Sequence, residues 1–213
     1  MADIDTVIRT EREALIELLE TLTPEQWAVQ SLCDQWTVQA VAAHLAYASA
    51  MPPQRMVVDL VRAGGNINKM IGDGGVRDCE RGVPAILAQL KDNAAKGTKP
   101  MGMPKAAAVS DAVVHQLDIR VPLDTPRAIP QDAFVIAADF FAGTGFPGSL
   151  VVGGNVRKRV SGLTLVAGDV EWTHGGGPEV HGSSQDLILM LAGRPIDGYA
   201  LTGPGAQELY GRL

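Results

Sequence analysis

Apolar residues recur at helical spacing along the first two thirds of the chain. Ile4, Val7, Ile8, Ala14, Leu15, Leu18 and Leu19 fall on one face of a first helix, and Thr23-Pro24-Glu25-Gln26 has the cap, first-turn proline and box residue of a second. Thr37 can cap a third, VQAVAAHLAYASA, which Pro52 and Pro53 interrupt. PQRMVVDLVRA reads as a fourth, ended by Gly64-Gly65. The stretch GGNINKMIGDGG, 64–75, is too rich in glycine for a regular helix throughout and predicts a cover over a site or a long connection. Residues 77–95 are amphipathic again, and GTKPMGMP separates them from a helix that carries DAVVHQLDIR and ends before Pro122. PQDAFVIAADFFAG, 130–143, is the last long helical pattern.

After GTGFPGS the pattern changes. KRVSGLTLVAGDVEWTHG alternates and is rich in β-branched residues, with Gly168-Asp169 and Gly175-Gly176-Gly177 as turn signals. SSQDLILMLAG and GPGAQELYGRL then read as helices. The expectation is an α+β chain: a helical bundle over 1–148 and a small α+β domain over 149–213.

Composition narrows the function. With 213 residues, 46% hydrophobic and 20% charged, the chain can bury a sizeable core, and its net charge of −6 argues against nucleic acid as a partner. Two cysteines, Cys33 and Cys79, outline no disulfide framework and show no activating neighbour in sequence, so inert thiols in a reducing compartment are expected. The start, MADIDTVIRTERE, has no apolar segment of a signal peptide, and no run is long enough to span a bilayer. A soluble, cytoplasmic protein is expected, without a membrane partner.

The candidate chemistry lies in DAVVHQLDIR. In a helix, Asp111, His115 and Asp118 share one face. A solvated face accounts for that spacing, and so does a metal site. His44, in the apolar helix VAAHLA, supplies a further imidazole from another helix, as metal sites in helical bundles are built. Two imidazoles and a carboxylate suit zinc or another divalent metal and leave a position for water or substrate, with Asp118 behind them or as a fourth ligand. His174 and His181, beside glycines in THGGGPEVHG, read as polar turn residues. There is no GxSxG elbow, P-loop or dinucleotide fingerprint.

WTVQAVAAHL (36–45), DAVVHQLDIRVPLDTPR (111–127) and the tail from DVEWTHGGG to the last residue resemble the actinobacterial maleylpyruvate isomerase family of mycothiol-dependent enzymes. The resemblance implies a DinB-like four-helix bundle followed by a domain similar to sterol carrier proteins. It also implies a divalent metal, usually zinc, held by His44, Asp111 and His115; the isomerase pattern has glutamate where this chain has Asp111. Arg194, in the tail's Gly-Arg pair, is the best match among the arginines for a substrate-binding role. The implied activity is that of a transferase or isomerase in which the metal activates the thiol of mycothiol toward a small electrophile, in a monomer or homodimer. A metal-dependent hydrolase and a non-catalytic metal- or ligand-binding module are the alternatives.

Overall fold

The computed structural model describes residues 2–99, 102–145, 148–150 and 154–213. The sequence segments GTKPMGMP and GTGFPGS therefore lie partly outside the described residues, at 100–101 and 146–147. Two compact units are present, one up to Arg127 and one from Ala128 onward.

The first unit is helical. Helices α1 (Ile4–Thr21), α3 (Val38–Ala48), α6 (Val83–Lys96) and α7 (Lys105–Arg120) pack as a four-helix bundle, in which α1 touches α6 and α7, and α3 touches the same two. The short α2 (Pro24–Trp27) leads into α3, and α4 (Pro53–Arg62) and α5 (Ile67–Cys79) form an extra layer against α3. The apolar stripes read from sequence become the core: Leu15 and Leu19 of α1, Val38, Val41 and Ala42 of α3, and Ile86 and Leu90 of α6 are buried. Helix α7 is buried nearly all round, from Ala107 to Ile119, which is why its polar residues are the notable ones.

Local chemistry sets the helix starts. Thr23 and Gln26 form a reciprocal capping box, and the Thr37 hydroxyl accepts from the Ala40 amide. The glycine-rich stretch differs from its expectation, since most of it is helix α5. The Asn66 side chain accepts from the Lys69 amide at 3.0 Å and starts that helix despite Gly72, Gly74 and Gly75. A second difference lies in the amphipathic run 77–95, which Gly82, at φ +82°, divides between α5 and α6.

Buried polar groups tie the bundle together. Glu11 of α1 accepts from both Nη atoms of Arg127, at 2.8 and 2.9 Å, and from Gln116 Nε2 at 2.6 Å. Asn93 Nδ2 donates to the Ala46 carbonyl at 2.7 Å and links α6 to α3.

The second unit mixes helix and strand. Strand β1 (Thr164–Ala167) is central, antiparallel to β2 (Thr173–Gly175) and parallel to β3 (Glu179–Gly182). Helix α10 (Ser184–Leu191), capped by Ser183, packs on β1 and β3, and α11 (Ala206–Tyr210) packs on β3. Gly175 has φ +96°, and a Cβ there would lie 2.2 Å from the Leu163 carbonyl oxygen, so the turn signal read there is a steric requirement. VRKRV is a short helix, α9 (Val156–Val160), started by Asn155, and the strand expected from 158 onward begins only at Thr164.

Helix α8 (Gln131–Gly143) falls in the second unit, whereas the sequence places a domain boundary at 148/149. The reason is packing. Phe134 meets Trp172 edge-on at 5.4 Å, Trp172 Nε1 donates to Asp139 Oδ1 at 2.9 Å, and α8 lies against α9 and α10. Among the described residues no helix is long and apolar enough to cross a membrane.

Candidate metal centre

Three side chains from two bundle helices converge in the first unit. His44 comes from α3, and Asp111 and His115 come from successive turns of α7. Asp111 Oδ1 lies 3.4 Å from His115 Nε2 and 3.7 Å from His44 Nε2. Tetrahedral bonds of about 2.0–2.1 Å to one ion would put its ligand atoms roughly 3.3 Å apart. Those two separations are near that spacing, so His44, Asp111 and His115 could hold a divalent metal, with Asp111 offering a side chain one methylene shorter than glutamate.

The other ring nitrogen of His115 is also committed. Its Nδ1 lies 2.7 Å from Oδ2 of Asp118, which is fully buried. In the neutral ring, a carboxylate at that position holds the proton on Nδ1 and leaves Nε2 as the lone-pair donor toward Asp111 and His44. The same Asp118 oxygen accepts from the Cys33 thiol at 3.1 Å, and the Asp118 carbonyl accepts from the Leu32 amide at 3.1 Å. The loop before α3 is thereby clipped to α7. Cys33, His115 and Asp118 also form a possible ligand group, so the structure adds to the site a cysteine that the sequence pattern does not mark.

Trp36 likewise carries no chemical signal in the sequence. Its buried ring lies 4.9 Å from the His44 ring and 6.1 Å from that of His115, and its Nε1 donates to the Gly72 carbonyl of α5 at 3.0 Å. A Cβ on Gly75 would come within 2.7 Å of the ring. Two of the glycines of the 64–75 stretch thus seat the indole that walls the site.

Electrostatics couple the group. For Asp111, burial alone would raise the carboxyl, but hydrogen bonds and charge from His115 and His44 outweigh it and hold it well below the usual carboxylate range. For His115, burial alone would lower the imidazole, but Asp111, Asp118 and Cys33 hold it well above its ordinary value. Arg12, buried on α1, donates to the Asn93 carbonyl at 3.1 Å and lines with Asp111 and Ser49 a small cavity with room for about one water.

The remaining sequence candidates lie elsewhere. Cys79 is half-buried, and burial followed by the charge of Glu80 pushes its thiol up, which favours the protonated, unreactive form. His174 stacks on Trp172 at 5.6 Å, and His181 Nε2 lies 2.9 Å from Glu179 Oε2, both on strands. Arg194 lies in the second unit just past α10, with its amide bonded to the Leu189 carbonyl at 2.8 Å.

Comparison with known proteins shows what this chain is similar to. Residues 8–64 match the model of the mycothiol maleylpyruvate isomerase N-terminal domain, a span that includes His44 but not Asp111 or His115. No curated protein matches the chain. Two solved structures are similar, both of the mycothiol-dependent maleylpyruvate isomerase. One is a histidine-to-alanine mutant, at 14% identity and a TM-score of 0.59, and the other is at 15% and 0.55; each comparison covers 95% of this chain and 92% of the other. Residues 8–64 thus match the mycothiol maleylpyruvate isomerase N-terminal domain, and the chain as a whole has the fold of the mycothiol-dependent maleylpyruvate isomerase structures.

Proposed function

We propose that the chain is a mycothiol-dependent enzyme of the maleylpyruvate isomerase type, an isomerase or S-transferase with a divalent metal, preferably zinc, on His44, Asp111 and His115. The observation that carries this reading is the convergence of three donor atoms at ligand spacing, with Asp118 fixing the tautomer of His115. The family match over 8–64 supports the thiol dependence.

His44, Asp111 and His115 would hold the metal, which would supply Lewis acidity to lower the pKa of the cosubstrate thiol and favour its thiolate at neutral pH. The chain's own residues do the rest. Asp118 keeps the His115 proton on Nδ1, so that Nε2 stays a donor. Trp36 packs over both imidazoles and keeps water from that side. Asp111 contributes a negative charge that offsets the ion. Cys33 is bonded to Asp118 and Cys79 is kept protonated, which fits a nucleophile supplied by the cosubstrate. Arg194 is assigned to the acid group of the substrate, and the enzyme to the cytoplasm.

The test is turnover of maleylpyruvate with and without mycothiol. The account expects isomerisation that requires the thiol and disappears on chelation of the metal. Turnover that proceeds equally without thiol would instead favour hydrolytic chemistry at the same residues.

A further inference from the structure

Helices α4 and α5 enclose a groove of about 570 Å³, and none of its lining residues belongs to the His44–Asp111–His115 group. That volume lies in the range of small-molecule sites. Four arginines line it: Arg55 and Arg62 from α4, Arg77 from α5, and Arg81 just beyond. They surround two buried carboxylates. Asp59 accepts from Arg55 at 3.3 Å, Arg62 at 3.4 Å and Arg77 at 2.6 Å, and Asp78 accepts from Arg55 at 2.5 Å and Arg81 at 3.2 Å.

Two buried aspartates need counter-charge, but two arginines in forked geometry would supply it. Four are present. Five bonds run from these guanidinia to the two carboxylates, out of about twenty N–H donors at five per guanidinium. The surplus is positive even after Glu80, at the edge, is counted. It stands in a chain of net charge −6, so the attraction is local to this groove. Arg62, Arg77 and Arg81 are also the partly open ones, with side chains 68, 38 and 51% exposed, while Asp59 and Asp78 hold their other sides from beneath. Val58 gives the groove an apolar wall.

We propose that this groove is a binding site for a small-molecule oxyanion with two or more acidic groups, held by the forks of Arg62, Arg77 and Arg81 over the Asp59–Asp78 base. The shared chemistry is a planar or tetrahedral oxyanion that accepts paired N–H donors, borne by either a phosphoryl compound or a polycarboxylate.

The experiment is isothermal titration of the full chain with pyrophosphate and with citrate at low ionic strength, with acetate as the single-charge comparison. The parent is expected to bind one or both polyanions at least tenfold more tightly than acetate, and more weakly as salt rises. Arg62→Gln and Arg81→Gln are each expected to weaken binding about tenfold, the loss of one charge-assisted contact. Both sit at the rim and leave Asp59 and Asp78 paired with Arg55, and melting curves matching the parent establish that the variants are folded. Pyrophosphate alone binding assigns a phosphoryl ligand, and citrate alone a carboxylate one. No binding of either, or binding undiminished in both variants, overturns the proposal and leaves the arginines as counter-charges to the two aspartates.

Discussion

His115 Nδ1 and Asp118 Oδ2 are 2.7 Å apart on one helix, in full burial on the aspartate side, and this contact sets which nitrogen of His115 faces Asp111 and His44. Asp118→Asn keeps the size of the side chain but replaces the carboxylate by a neutral group. Loss of such an outer partner lowers metal affinity by roughly 10–100-fold. A zinc competition titration of the variant against the parent checks this, and equal affinities would mean that Asp118 does no more than bond the Cys33 loop.

The pH dependence follows from the two shifted groups. Metal needs His115 neutral, and its imidazole in the metal-free protein is held above its ordinary value, so zinc affinity should rise with pH and binding should release protons. For stability of the metal-free protein the signs are opposite for the two residues. The raised His115 contributes fully below its unfolded value of about 6.5 and loses that contribution as pH rises through its folded value. The lowered Asp111 contributes above about 3.9 and loses it as pH falls. Thermal melting against pH should therefore show the metal-free form losing stability on the alkaline side of neutrality relative to the zinc-loaded form. Parallel curves would contradict the coupling.

Neighbouring glycines of α5 should respond in opposite ways. Alanine is favoured over glycine inside a helix by about 0.8–1 kcal/mol. At Gly74 a Cβ meets nothing within 4 Å, so Gly74→Ala should stabilise by about that amount. At Gly75 the Cβ would sit 2.7 Å from the rigid Trp36 ring, and overpacking of that kind costs about 1–3 kcal/mol. The steric cost exceeds the gain in helix propensity, so Gly75→Ala should destabilise and weaken metal binding by shifting the indole from His44. Denaturant midpoints of the two variants give the comparison.

Arg127→Ala strips the bidentate partner from Glu11, which is 1% exposed. Gln116 remains, but it is neutral. Leaving a buried carboxylate without its counter-charge costs about 3–5 kcal/mol, against under about 1 kcal/mol for an exposed pair such as Lys69–Asp73. Urea unfolding of Arg127→Ala and Lys69→Ala should separate the two by that margin.

The α7 group is legible in the sequence because helical geometry alone brings Asp111, His115 and Asp118 to one face, and His44 is marked by its place in an apolar helix. Trp36 and Cys33 cannot be read this way. They sit in an irregular loop whose path is fixed by distant bonds, Leu32 to the Asp118 carbonyl and Trp36 to the Gly72 carbonyl. Glycine content misleads at 64–75 because Gly75 serves close approach to an indole within a helix that Asn66 caps. Pairs such as Arg55–Asp59 are visible as helical spacings, but the facing of α4 and α5 that turns them into a groove is tertiary. Helix α8 falls on the other side of the boundary read from sequence for the same reason: its periodicity reveals an apolar face without naming the Trp172 it packs on.

The most direct test is the metal content of the protein purified without added metal or chelator, beside His44→Ala and His115→Ala. The account predicts close to one divalent ion per chain in the parent and little in either variant, with both variants still folded. A parent that carries no metal and takes up none on reconstitution would contradict it, and would leave His44, Asp111 and His115 as a polar cluster in a binding module.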